Sequence, residues 1–288
     1  MRDSDRGTRV DALTGAVVRV AADRERRPNL PSDGCPFCVG GLESPEPYTV
    51  KAFPNRWPSL DGYRCEVVLY GPEHDRTLAE MGPARAREVI DLWADRTEVL
   101  GRRDDVAYVL IFENHGAEVG ASILHAHGQV FAFAEVPPVP AGVLRRLRAG
   151  AQLLEDDPSL VVVERDGWRA WVPSVPTQPL QVRVAPLERR PDLPSLAGCE
   201  RDALASVLVE VLGAFEHAFP SPVPYLFWIV QRPADGRCWS SAWLHLEVSS
   251  PWRADGVLRY VAGGELGSGV MINPVPPEQQ CLLLRGSR

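Results

Sequence analysis

The chain has 288 residues, 45% of them hydrophobic, 24% charged and 8% aromatic, and a net charge of −7. That length allows about two domains or one large one. The composition excludes a disordered chain, no apolar run approaches the ~20 residues of a membrane span, and an acidic chain with no long Lys/Arg block is a poor general binder of nucleic acid. The opening segment, MRDSDRGTRVDALTG, lacks the apolar stretch of a signal peptide, so the expected compartment is the cytoplasm, where thiols stay reduced. Lys51 is the only lysine among the 31 Lys and Arg, so phosphate contacts are expected from arginine.

In chain order, residues 1–34 are Arg-rich, with a strand-like run at 16–20. Cys35-Pro-Phe-Cys38 sits in a turn framed by Gly34 and Gly40-Gly41. Residues 48–53 alternate as a strand up to Pro54, and 65–70 (CEVVLY) form another before Gly71-Pro72. A helix is predicted over 83–100, with Pro83 in its first turn and a stripe of Val89, Leu92, Trp93, Thr97 and Leu100. Residues 105–112 read as an apolar strand, 113–122 as a Gly-punctuated loop and 124–134 as an alternating strand. This half is therefore an antiparallel sheet with one main covering helix.

Pro137-Pro138-Val139-Pro140 closes that half, and 141–155 read as a bridging helix. Strands follow at 160–164, 168–172 and 180–186. A helix over 200–219 carries Leu204, Leu208, Val211, Leu212 and Phe215 on one face. Strands at 225–231 and 243–248 complete the pattern. The second half repeats the order of the first, which predicts a duplicated α+β fold with its linker near 137–155.

Of six cysteines, Cys35 and Cys38 alone form Cys-x-x-Cys, a spacing for metal or redox chemistry. The other four read as ordinary thiols. The sharpest feature is His125-Ala126-His127-Gly128-Gln129. On a strand, positions two apart share a face, so the three polar side chains are expected together. A half-exposed polar strand would show the same alternation; the Gly-rich loop and the upstream Cys pair argue against that reading.

The run FENHGAEVGASILHAHGQVFAF resembles the active-site segment of the galactose-1-phosphate uridylyltransferase family, within the histidine triad superfamily. That family carries Phe-Glu-Asn, a Gly-rich stretch and His-Pro-His-Gly-Gln. CPFC at 35–38 resembles its zinc Cys pair, and CEVVLYGPEHDRTLAEM the segment that supplies a zinc histidine, here His74. ADRERRP at 22–28 resembles its Arg-bearing N-terminal segment, and RYVAGGELGSGVMIN at 259–273 its sugar-binding segment. The likeness covers most of the chain and is weakest over 137–240.

The resemblance implies two histidine-triad-like domains, each an antiparallel sheet with covering helices. Residues 1–145 would be catalytic and hold zinc; 146–288 would contribute sugar-binding residues. It implies transfer of a nucleoside monophosphate between sugar 1-phosphates through a nucleotidyl-histidine, with ping-pong kinetics. His127 would be the nucleophile, since a neutral imidazole attacks phosphorus without first losing a proton. The Gly128 carbonyl or a neighbouring backbone group would orient its ring. Gln129 would hold the non-bridging phosphoryl oxygens and, unable to act as a proton donor as histidine can, would favour transfer over hydrolysis. Ser122 and Asn114 match polar positions at the phosphates and nucleotide, Asn55 one at the ribose or base. Arg24 and Arg27 would approach the phosphates. Arg259 and Glu265 would take the sugar phosphate and the sugar hydroxyls. Cys35, Cys38, His74 and His125 would form a closed, structural zinc site. The implied partners are a nucleotide sugar, a sugar 1-phosphate and a second copy of the chain, with no nucleic acid and no membrane.

Some positions depart from the family pattern. Arg56 stands where an acid is usual, which leaves the base open. Trp243-Leu244-His245-Leu246-Glu247 stands where the family often has His-x-His, so no second metal is expected. Gly264 replaces an aromatic residue and reshapes the sugar pocket. His115, in the predicted loop, is a weaker candidate. Two other readings stand beside the first. One is a nucleotide-sugar phosphorylase, for example of ADP-glucose, with inorganic phosphate as acceptor. The other is a non-catalytic nucleotide-binding zinc protein, against which the intact His127–Gln129 pair speaks.

Overall fold

The computed structural model describes residues 6–21 and 34–286, so Arg24 and Arg27 lie outside the described residues. Strands β1 (Arg6–Val10) and β2 (Val17–Ala21) pair as an antiparallel hairpin, of which the sequence had suggested only the second strand. Nine further strands make one antiparallel sheet. They are β3 (Lys51–Pro54), β4 (Cys65–Leu69), β5 (Tyr108–His115), β6 (His127–Phe133), β7 (Val161–Arg165), β8 (Trp168–Trp171), β9 (Leu180–Pro186), β10 (Tyr225–Val230) and β11 (His245–Ser250). Across the sheet their order is β3-β4-β6-β5-β10-β11-β9-β8-β7. The set β3-β4-β6-β5 and the set β8-β9-β11-β10 therefore have the same neighbours in the same chain order. Each set has a long helix between its second and third strands: α1 (Leu78–Gly101) in the first and, after the connecting α2 (Pro138–Arg148), α3 (Gly198–Glu216) in the second. The halves join along β5 and β10, where Phe112 pairs with Trp228.

The alternation in β5 and β6 gives the sheet a covered face and an open face. Val109, Ile111, Val130 and Ala132 lie on the covered face, in one core with Val89, Ile90 and Trp93 of α1. That core continues through Leu204, Leu208 and Val211 of α3. The two helices are also joined by Arg87–Asp202 at 2.5 Å and Arg201–Asp91 at 2.9 Å. With α1 and α3 on one face, polar side chains of β5 and β6 collect on the other, where Asn114, His127 and Gln129 are half-buried; α2 packs on that other face farther along the sheet, its Leu147 against Trp171 and Ala185.

Several boundaries differ from expectation: β5 runs on to His115 and not only to 112, α2 ends at Arg148 and not at 155, and two others bear on the site. The α1 helix begins five residues earlier than predicted because Thr77 and Glu80 cap it reciprocally, by Glu80 N–H to Thr77 Oγ1 at 3.2 Å and Thr77 N–H to Glu80 Oε2 at 2.9 Å. Gly82, at φ 80° and ψ 176°, breaks the helix after its first turn, and Pro83 opens the longer segment. Strand β6 begins at His127, not at 124. His125 thus precedes the strand, a correction to the expected element; its imidazole is buried against Cys35 and Cys38, whereas His127 is half-buried beside Gln129. Strands β12 (Trp252–Ala254) and β13 (Val257–Leu258) and helices α4 (Gly263–Ser268) and α5 (Pro277–Gly286) follow the sheet.

Candidate active site

The Cys-x-x-Cys turn closes tightly on itself. Gly41 N–H donates to the Cys38 carbonyl at 2.8 Å, and a Cβ on Gly41 would stand 2.7 Å from the Cys35 and Pro36 carbonyl oxygens. Only glycine fits there. The turn brings both thiols to His74, which follows β4, and to His125, which precedes β6. Cys38 Sγ lies 3.4 Å from His74 Nδ1 and 3.7 Å from His125 Nδ1; Cys35 Sγ lies 3.8 Å from His125 Nδ1. All four donor atoms lie within 4.8 Å of one another. A zinc tetrahedron with Zn–S near 2.3 Å and Zn–N near 2.0 Å has S···N edges of roughly 3.6 Å, so the donor set fits that ion. The chemistry fits as well. Burial pushes the His125 imidazole pKa down, which keeps it neutral as a ligand must be. Burial and the adjacent Cys35 push the Cys38 thiol up, a cost that a bound dication reverses. Four protein donors would fill all the positions of a tetrahedral ion.

His127 Nδ1 lies 2.9 Å from the His125 carbonyl. Nδ1–H therefore donates to that oxygen, so in the neutral ring Nε2 is the nitrogen that carries the lone pair. The backbone group that orients the ring is thus the carbonyl of His125, one of the four clustered donors, not that of Gly128. Phe37, from the middle of the Cys-x-x-Cys turn, meets the His127 ring edge-on at 5.1 Å. Gly128 is fixed for another reason: a Cβ there would come within 2.3 Å of the Tyr70 hydroxyl.

Two cavities flank His127 and Gln129. The larger, about 580 Å³, has aromatic walls of Phe37, Phe53 and Trp57, with Asn55, Glu43 and Arg56 also lining it. Asn55 Oδ1 accepts from Trp57 N–H at 2.9 Å, so what Asn55 offers a ligand is its amide N–H pair. Arg56 and Glu43 approach each other to 3.5 Å. The smaller, about 210 Å³, is lined by Asn114, Gly120 and Phe112. His127, Gln129 and Ser122 line both. A flat apolar ring suits the first, a compact polar group the second, and the histidine stands between them.

Other expected residues lie elsewhere. Arg259 and Glu265 line neither cavity of their own chain. They pair with each other, and Glu265 also accepts from Ala262 N–H at 2.8 Å and Ile272 N–H at 2.8 Å. Those backbone donors, with Arg259, hold the Glu265 carboxyl below its ordinary pKa. His115 is not an exposed loop residue: it ends β5 and stacks on Tyr225 at 4.7 Å. In the second half, His245 Nδ1 lies 2.8 Å from the Trp243 carbonyl, the same local geometry as His127 on His125. There Glu247 takes the position of Gln129 and is bound by Arg183 at 2.6 Å and Gln181 at 3.1 Å. Sequence reasoning missed Phe37, Tyr48, Trp57 and Glu43. Phe37 had a signal in its place inside CPFC, and Trp57 one in the run Phe53-Pro54-Asn55-Arg56-Trp57-Pro58, which resembles the family's nucleotide-pocket turn; Tyr48 and Glu43 had none.

A family model described as "Galactose-1-phosphate uridyl transferase, N-terminal domain" matches residues 53–137. A galactose-1-phosphate uridylyltransferase of Thermotoga maritima is 33% identical over 308 aligned residues, covering 96% of this chain and 97% of that protein. A solved uridylyltransferase structure superposes with a TM-score of 0.87 at 26% identity, over 97% of both chains. An ADP-glucose phosphorylase from Arabidopsis thaliana, solved with bound ADP-glucose, shares the fold with a TM-score of 0.78 at 23% identity, again over 97% of both. Together, fold and site define a nucleotidyltransferase of the histidine triad type. The chain belongs to the galactose-1-phosphate uridylyltransferase family. Among the described residues, no helix is long and apolar enough to cross a membrane.

Proposed function

We propose that this enzyme moves a nucleoside monophosphate between sugar 1-phosphates through a covalent intermediate on His127. The observation that carries the reading is the His127 imidazole, held by its Nδ1–H on the His125 carbonyl at 2.9 Å and standing between the two cavities. The base and ribose occupy the aromatic cavity, near Asn55; the departing sugar phosphate lies on the side of Asn114 and Ser122. Nε2 attacks the α-phosphorus, the bond to the bridging oxygen breaks, and sugar 1-phosphate leaves with that oxygen. Nδ1–H stays on the His125 carbonyl, which steadies the positive charge that the ring gains. The Gln129 amide donates to a non-bridging oxygen and brings no acidic proton. A second sugar 1-phosphate then attacks the phosphorus and frees His127. Arg24 and Arg27 are the proposed phosphate contacts. Cys35, Cys38, His74 and His125 hold a structural zinc, whose role is to fix the turn that carries Phe37. A site built on free thiols suits the cytoplasm.

The same reading gives the chain two units, 1–145 catalytic and 146–288 the donor of sugar-binding residues, and makes it a homodimer. Arg259 and Glu265 are 9% and 4% exposed, and Arg259 Nη1 finds no partner among the described residues. Around them Tyr260, Leu266 and Ile272 are 78%, 76% and 67% exposed. An apolar surface beside a poised arginine suits the sugar end of another copy's site. Isotope exchange tests the proposal. Labelled sugar 1-phosphate should enter nucleotide sugar with no other acceptor present, and His127→Ala should abolish exchange. Exchange that requires a third reactant would sink the two-step route. Turnover with inorganic phosphate but not with sugar phosphates would convert the reading to a phosphorylase.

A further inference from the structure

We propose that Tyr48 is a positioning residue whose hydroxyl locks the metal ligand His125 to the Cys-x-x-Cys turn and so sets the affinity of the metal site. Three stretches of chain meet at this oxygen. Tyr48 Oη lies 2.7 Å from the Phe37 carbonyl, 2.9 Å from the Gly71 carbonyl and 3.1 Å from His125 Nε2. His125 Nε2 lies 2.8 Å from the same Gly71 carbonyl.

Proton accounting fixes the roles. His125 Nδ1 faces the two sulfurs, so the ring's one hydrogen is on Nε2. It donates to the Gly71 carbonyl, with the Tyr48 oxygen beside it as second acceptor. Tyr48 has one hydrogen, and its shortest contact, the Phe37 carbonyl, receives it. A metal-bound histidine whose outer N–H is held in this way keeps its orientation and its basicity. The two metal histidines are unequal in this respect: the outer nitrogen of His74 has Asp75 at 3.7 Å, and that carboxylate is 94% exposed. Tyr48 also reaches past the metal. It holds the carbonyl of Phe37, whose ring packs on His127 and walls the larger cavity. The ring of Tyr48 lies against the small core of Phe37, Val67 and Leu69.

Tyr48→Phe keeps that ring and removes only the oxygen. The test is Zn²⁺ competition against a chromophoric chelator, with the ligand-field spectrum of the Co²⁺ form and the melting temperatures of the metal-stripped proteins. The expected result is a loss of Zn²⁺ affinity of about 10- to 100-fold. The Co²⁺ spectrum should still show two sulfur and two nitrogen ligands, and the metal-stripped variant and parent should melt together. Affinity within about twofold of the parent would overturn the proposal, given that size for an outer-sphere partner. So would an equal fall in the melting temperatures of the stripped and loaded variant, since the hydroxyl would then serve the fold and not the metal. These readouts do not depend on the transfer reaction, so failure of one reading leaves the other standing.

Discussion

His125 faces two ways at once. Its imidazole joins the Cys35, Cys38 and His74 donors that could hold a metal ion, and its carbonyl orients the proposed nucleophile two residues on. The sequence made both histidines visible by spacing, but placed both within the strand, because alternation continues upstream through Leu124. The strand starts at His127 because its pairing with Leu69 starts there, and pairing across some 58 positions leaves no local mark. Tyr48 was illegible for a similar reason: an aromatic side chain carries no polar pattern, and its partners Gly71 and His125 lie far along the chain. Another group shows only in three dimensions. Glu113 is 2% exposed and accepts from the Tyr225 hydroxyl at 3.1 Å. Burial raises its pKa to about 8, against the pull of the Tyr70 and Tyr225 hydroxyls. In the unfolded chain a glutamate titrates near 4.3. Between those values the folded protein keeps a proton that the unfolded chain has released, so this group's contribution to stability falls as pH rises through that window. Glu113→Gln keeps a neutral acceptor for Tyr225. Its melting temperature should fall less steeply than the parent's from about pH 5 to pH 8.5. Parallel curves would contradict this.

Among the elements, α1 shows what periodicity reads and what it does not. The stripe from Val89 to Leu100 was plain, but the first turn was hidden because Gly82 interrupts it. The capping residues Thr77 and Glu80 were the unread signal. At φ 80° and ψ 176°, Gly82 occupies a region that side chains with a Cβ avoid, although no atom lies within 4 Å of where that Cβ would be. Gly82→Ala should therefore cost about 1–3 kcal/mol in urea unfolding through backbone strain alone. Folded variant should retain its activity. A change below about 0.5 kcal/mol would show that the turn adapts freely. The second half was legible as an order of elements, and the sheet bears that order out in its strand neighbours. What the letters could not show is that Glu247 is neutralised by Arg183, which stands in the register where Val67 faces Gln129.

At the scale of the whole molecule, the repeated order of elements becomes one sheet and one main core shared by both halves. The Cys pair and His125, separated by some 90 positions in the chain, meet within hydrogen-bonding range of each other. Arg259 and Glu265, expected at the sugar, line neither of the two cavities beside His127, which is where reading a single sequence stops. If another copy supplies it, inactive His127→Ala and impaired Glu265→Ala protein, unfolded and refolded together, should regain activity that neither has alone. No recovery on mixing would place Glu265 outside the site. The central claim is the covalent step, and intact-protein mass spectrometry tests it most directly. Protein mixed with nucleotide sugars, quenched before acceptor is added, should gain the mass of one nucleoside monophosphate, mapped to His127 and absent from His127→Ala. That mass also names the base. Turnover with no gain in mass, or an adduct on another residue, would contradict the account.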